Sequence, residues 1–172
     1  MRRIALPCAL LSLFILTNAS SAALAQETWN FGLVGGTALE RSSGPGGIAL
    51  RESPRFLDFT AQRYAKEPDG PIWAASLRAE ATGKGGIGIV PRAGLRKALG
   101  ALELRPFIGL TMMLTPKTLY GPELSLEMHL GLGETLALKA IGFFTAYLYG
   151  SNLPESTTLL QTGGCFGLSV IL

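Results

Sequence analysis

From Thr28 onward, apolar and polar residues alternate with a period of two. Trp29, Phe31 and Leu33 alternate with Asn30, Gly32 and Val34. Trp73, Ala75, Leu77 and Ala79 alternate with Ala74, Ser76, Arg78 and Glu80. Leu102, Leu104, Ile108, Leu110, Met112 and Leu114 share one parity, and Glu103, Arg105, Gly109 and Thr111 hold the other. Leu124, Leu126, Met128, Leu130 and Leu132 face away from Glu123, Ser125, Glu127, His129 and Gly131. The last stretch sets Leu160, Phe166, Leu168, Val170 and Leu172 against Gln161, Gly163, Cys165, Gly167 and Ser169. Successive side chains of a strand point to opposite faces, so each run is a strand with one greasy and one wet face.

Glycine- and proline-rich turns separate the runs: 83–86, 97–100, 115–117, 133–134 and 150–157. Gly133-Glu134 reads as a two-residue hairpin turn. Eight strands follow, at about 28–38, 55–66, 71–82, 86–96, 101–114, 122–132, 135–149 and 159–172. Residues 41–47 read as a mobile loop. Residues 53–66 stay open between strand and helix: Ser53 can cap a helix and Pro54 fits its first position. In the helical case, 46–52 would supply the second strand. Pro91 and Pro106 fall inside strands, and each removes a ladder donor, so bulges or strand ends are expected there.

The residues ahead of this pattern differ in kind. Arg2 and Arg3 precede an apolar run, Ile4 to Leu16, that is too short to cross a bilayer as a helix. Ala23-Leu24-Ala25 then offers a small-x-small cleavage site. Residues 1–25 are expected to be a signal peptide, and 26–172 a single β-barrel domain beginning at Gln26. The chain carries 15 Lys and Arg against 12 Asp and Glu. Without Arg2 and Arg3 the balance falls to +1, which does not suit a nucleic-acid surface. Cys165 alone remains of the two cysteines, so no internal disulfide is expected, and His129 is the only histidine. A His/Cys zinc site is excluded, and no metal or cofactor is expected. After the signal no apolar run reaches the length of a membrane helix. Even so, 48% of the residues are hydrophobic and 22 are glycine.

A closed barrel reconciles these facts. In lipid, backbone polar groups must be satisfied within the protein, which leaves helices and closed barrels. Strands of about 9–11 tilted residues suffice to cross. With the greasy parity outward, the lumen collects Arg78, Glu80, Glu103, Arg105, Glu123, Glu127, His129, Lys139 and Gln161. An eight-stranded barrel is just wide enough for its own side chains, so these groups should pair as a structural network and form a plug. Residues 39–47, 115–121 and 150–158 then lie at the outer end, and Lys97–Gly100 and Gly133-Glu134 at the periplasmic end. Trp29, Trp73, Tyr120, Tyr147 and Tyr149 are candidates for the aromatic girdle.

The chain resembles the small eight-stranded outer-membrane barrels of the OmpA/OmpX type, over about 28–172. The sharpest motif is Gly164 to Leu172, apolar at every second position to the last residue. It resembles the segment read by the barrel-assembly machinery, although that family usually ends in Phe or Trp. The resemblance implies an all-β, up-and-down antiparallel barrel in the bacterial outer membrane, in contact with its lipid. It also implies a non-enzymatic role in envelope structure or surface interaction.

Two alternatives have their own signatures. A soluble periplasmic, lipocalin-like barrel would turn the leucines inward around an apolar ligand. A lipid-A-modifying barrel would use a serine, a histidine and a glutamate. Glu127 and His129 share a face, ~7 Å apart along the strand. The His-x-Ser spacing of such enzymes is absent, however, since Leu130 and Gly131 follow His129. His129 therefore reads as a lumenal histidine, with no catalytic residue assigned. Cys165 reads as a small inward packing residue. Lys117 and Tyr120 read as parts of a solvated outer turn.

Overall fold

The computed structural model describes residues 27–45, 47–65, 67, 69–81, 85–115, 118–151, 153 and 157–172. The expected signal segment and residues 82–84 and 117 lie outside these. The alternating runs become eight long antiparallel strands: β1 (Glu27–Gly44), β2 (Gly47–Ala65), β3 (Gly70–Glu80), β4 (Gly86–Leu99), β5 (Leu102–Thr115), β6 (Leu119–Gly131), β7 (Leu136–Tyr147) and β8 (Thr158–Ile171). A two-residue piece, Tyr149–Gly150, pairs with Leu119 and Tyr120. Each strand pairs with its neighbours in sequence, and β1 pairs with β8. The sheet closes on itself and has no edge around the wall. Trp29 and Leu172 exchange backbone hydrogen bonds, tying the C-terminus to the start of β1.

The parity falls as the alternation predicts. Leu124 is 57% exposed on the outer wall, with Leu126, Leu130, Ile108, Phe166 and Leu168 also outward, whereas Glu123 and Glu127 are at most 1% exposed. The lipocalin-like alternative required the reverse and is overturned. Residues 53–65 are strand and not helix, because the inward set Phe56, Asp58, Thr60, Gln62 and Tyr64 has a period of two.

Four local expectations are corrected. Residues 39–44 and 47 are ladder rather than loop: β1 and β2 stay paired up to Gly44 opposite Gly47. Gly47 has φ +101°, which a glycine adopts at little cost. Pro91 and Pro106 cause no register bulge: the β4–β5 pairing lapses beside them and resumes in the same register. Bulge-like slips lie elsewhere, between Thr37 and Leu39 and between Ile87 and Gly88. Gly133-Glu134 sits within a longer turn closed by the Leu132 N–H to the Leu136 carbonyl. The β4–β5 hairpin turns at Gly100 (φ +68°) and Ala101, with Leu99 opposite Leu102.

Tyr147 is also corrected. It points into the lumen and its hydroxyl donates to Gln161 Oε1, so it is no girdle residue. At the end that holds Glu27 and Leu172, the one expected to face the periplasm, Trp29 stacks on Phe31, which stacks on Phe59. Trp73 lies opposite Arg63 in the same band. Tyr149 is exposed at the other end, near Tyr120.

Candidate functional site: the lumen

The inward parity of all eight strands delivers ionised side chains to one narrow axis. At its centre three carboxylates meet three cations. Asp58 Oδ2 accepts from Arg78 Nε and Nη2 at 3.1 and 3.0 Å. Glu123 Oε2 accepts from Arg78 Nη1 at 2.8 Å, Thr111 Oγ1 at 2.7 Å and Thr145 Oγ1 at 3.0 Å. Glu127 accepts from Arg92 Nη1 on Oε1 at 2.9 Å and from Gln62 Nε2 on Oε2 at 2.5 Å, and forms an ion pair with Lys139 Nζ at 3.0 Å. Arg92 also reaches Asp58 and Glu123, each at 3.5 Å, and donates to Ser76. Charge-assisted bonds of this density offset the large cost of taking the ions out of water. Gly32 makes room for one of them: a Cβ there would stand 3.1 Å from Lys139 Cδ.

Above and below this centre the lumen is also filled. Toward the outer end lies an apolar layer of Val34, Ala38, Phe56, Ile141, Phe143 and Cys165. The Arg78 guanidinium lies 4.3 Å from the Phe143 ring centre. Cys165 packs inward, as its neighbours in the sequence suggested. Beyond this layer Glu40 accepts from Gln161 Nε2, and Glu80 lies half-buried at the end of β3. Toward the periplasmic end Glu103 bridges Arg96 and Arg105, which flank the Tyr64 ring at 4.6 and 4.9 Å. Arg105 also donates to Gln62.

The structure thus brings Arg78, Glu103, Arg105, Glu123, Glu127, His129 and Lys139 onto the axis and leaves Glu80 at its outer rim. The sequence reading missed Asp58, Gln62 and Arg92. The first two fell in the segment left open between helix and strand. Arg92 follows Pro91, where the strand was expected to break. The inward parity of Gly86, Gly88 and Val90, carried past Pro91, was the signal that could have found it.

His129 holds a second surprise. Its Nε2–H donates to Glu127 Oε2 at 3.1 Å, and its Nδ1 accepts from Ser169 Oγ at 3.3 Å, the tautomer being assigned from these partners. Serine, histidine and glutamate therefore stand in the order of an acyl-transfer triad. Ser169 lies forty residues away on β8, where no short spacing could reveal it. Yet Ser169 is only 1% exposed, and Asn30 Nδ2 contacts the same oxygen at 3.4 Å. Glu127 is already engaged by two cations. The set is a packed hydrogen-bond chain that presents no nucleophile to a substrate. Among the described residues no three His, Cys, Asp or Glu side chains converge as metal ligands.

No protein family matches this sequence, and no curated protein matches it either. Solved structures do. The crystal structure of Ail, the attachment invasion locus protein of Yersinia pestis, superposes with a TM-score of 0.55 at 10% identity, covering 83% of this chain and 98% of that one. Ail in complex with the heparin analogue sucrose octasulfate gives 0.49 at 12% identity, over 84% and 99% of the two chains. Neisserial surface protein A gives 0.45 at 10% identity, over 81% and 96%. At such identity the first of these speaks for the fold alone. That fold is the small eight-stranded barrel of outer-membrane proteins.

Proposed function

We propose that this chain is a non-enzymatic outer-membrane barrel with a sealed lumen, acting in envelope structure or surface interaction. The observation that carries the reading is the inverted partition of the molecule. Its wall is apolar, while three acids and three bases neutralise one another along the axis. Water would reward the opposite arrangement; lipid rewards this one. Outer-membrane lipid is then the medium around the wall, and residues 164–172 are the segment offered to the barrel-assembly machinery.

A specific observation favours the surface-interaction half of this reading. β3 stops at Glu80, opposite Phe56, while β2 and β1 continue to Gly47 and Gly44, and β8 follows β1 as far as Thr158. This part of the wall, formed by β7, β8, β1 and β2, rises about 30 Å along β2 beyond the end of β3. It carries outward Leu39 and Ile48. Among the described residues no strand pairs with 47–54 on the β3 side, and an open edge of that kind is a template for another chain.

Expression with its own leader tests the reading. Urea and carbonate washes should leave the chain in the outer-membrane pellet, its gel mobility should change on heating, and planar bilayers containing it should show no steady conductance. Release by the washes would sink the membrane assignment, and a stable conducting state would sink the sealed lumen.

A further inference from the structure

Five of the eight seams between neighbouring strands run without an internal lapse among the described residues; β1–β2 lapses once, at Ala38, Ser53 and Pro54, and β6 lapses once, at Gly121 and Pro122, before it meets Tyr149. The β4–β5 seam differs. Ile89 pairs with Met112 and Arg92 with Gly109, but nothing pairs between them. Gly94 pairs with Phe107 and Lys97 with Leu104, again with a lapse between. The two lapses contain Pro91 on one strand and Pro106 on the other. Each proline keeps its place on the far side: Pro91 opposite Ala75 of β3, Pro106 opposite Leu126 of β6. Both missing N–H groups therefore fall on the one shared seam, and by the register they leave the carbonyls of Leu110 and Leu95 without a cross-strand donor.

Other features gather along the same line. The register slips at its outer end, between Ile87 and Gly88. A shallow apolar groove of about 880 Å³ crosses the outer wall here, lined by Ala93, Leu95, Pro106 and Ile108 before running on to Gly142 and Thr162. Inside, the polar side chains bridge what the wall does not. Arg96 of β4 donates to Glu103 of β5 directly across the seam, with Nε at 3.1 Å. Arg92 of β4 reaches past β5 to Glu127 of β6. In a ring of eight strands this seam lies diametrically opposite β8–β1, whose pairing is continuous from Asn30 to Ser43.

We infer that the barrel is two half-shells, β1–β4 and β5–β8, hinged along β8–β1 and meeting at a soft β4–β5 seam, with Arg96–Glu103 as the latch at the seam itself and Arg92–Glu127, Arg78–Glu123 and Arg105–Gln62 tying the halves together deeper in the lumen. A lipid-facing wall short of two backbone bonds has no water to replace them, which leaves this seam the weakest line of the wall and the most dependent on side chains that cross it. Releasing the Arg96–Glu103 latch loosens β4 against β5 while the deeper ties and the hinge hold.

Hydrogen exchange read by mass spectrometry tests this on the full barrel in lipid nanodiscs. Amides of 87–115 should exchange at least tenfold faster than those of 30–43 and 158–171. Glu103→Gln should accelerate the first set further and leave the second unchanged. A pair of cysteines replacing Ala93 and Ile108, which face each other across the seam, should restore protection once oxidised, in a Cys165→Ala background. Pro91→Val with Pro106→Val, which returns both donors, should slow the same amides and does not depend on any latch variant folding. Uniform protection around the ring, loosening of all strands together by Glu103→Gln, or no gain from restoring the donors would each overturn the inference.

Discussion

Arg92 of β4 and Glu127 of β6 meet inside the lumen past the intervening β5, Nη1 to Oε1 at 2.9 Å, both without solvent exposure. Neither charge has water to fall back on. Removing Glu127 leaves Arg92 with only its 3.5 Å contacts to Asp58 and Glu123 and takes from the buried Lys139 its carboxylate at 3.0 Å, a cost of about 3–5 kcal/mol. Glu127→Gln should therefore lower the stability of the barrel in phospholipid vesicles by about that much, read by urea unfolding with Trp29 and Trp73 as reporters. Adding Arg92→Met should recover part of the loss, with a coupling of roughly 0.5–3 kcal/mol in the double-mutant cycle. Additive losses would mean that the two groups do not depend on each other.

The wall makes the opposite demand. Leu126 stands outward near the middle of β6, opposite Pro106 and Gly142. Arginine there must enter hydrocarbon, at about 2–4 kcal/mol near the midplane and about 0–1 kcal/mol near the interfaces. Leu126→Arg should therefore destabilise refolding into vesicles several-fold more, in free energy, than Leu132→Arg at the periplasmic turn. Equal penalties would place Leu126 outside the bilayer.

Much of this is legible in the sequence, for a physical reason. A strand between lipid and a charged lumen repeats its demand at every second residue, so parity alone puts Glu123, Glu127 and Lys139 on the face where they are buried. It failed where that demand lapses. Above the rim, β1 and β2 have no lumen on one side, and the small polar residues Ser42, Ser43 and Gly44 read as loop although they are paired. At Pro91 and Pro106 the expectation of a bulge assumed that a ladder must slip to absorb a missing donor; this seam keeps its register and goes without. The Ser169–His129 contact joins strands far apart in the chain, and no local spacing encodes it.

That contact yields a prediction of absence. Ser169 Oγ is covered and His129 is held between it and Glu127. A fluorophosphonate probe should not label the folded barrel, and His129→Ala should leave the lipid A mass spectrum of the host unchanged. Labelling that Ser169→Ala abolishes, or a shifted lipid A profile, would restore the enzymatic alternative.

Outside the membrane a small pH effect is expected at the β2–β3 turn. Hydrogen bonding from the Lys97 ammonium, then from the Ala98 N–H at 3.1 Å, holds the Asp69 carboxyl below its ordinary value. A depressed folded value contributes stability above the unfolded pKa and loses it as pH falls through the folded one. The pair is exposed, so the contribution is slight. Asp69→Asn should shift the urea midpoint marginally at pH 7, and the difference from wild type should vanish on acidification. A difference that grows toward acid would reverse the sign and remove Lys97 as the cause.

Close approach of neighbouring strands sets the last expectation. A Cβ at Gly36 would lie 2.0 Å from the Gly164 carbonyl oxygen and 2.6 Å from the Cys165 Cα, both fixed backbone atoms of β8. A Cβ at Gly142, on the outer wall, would meet nothing within 4 Å. The two glycines thus serve different ends. Gly36 lets β1 and β8 come together where the ring closes, whereas Gly142 leaves a dent in the lipid-facing surface. Gly36→Ala must push the closing strands apart and should cost about 1–3 kcal/mol, the usual range for overpacking a fixed site. Gly142→Ala should be neutral or slightly stabilising, since alanine restricts the unfolded chain without a clash. Parallel unfolding titrations of the two variants in the same vesicles decide the matter, and equal effects would mean that ring closure does not depend on the approach at Gly36.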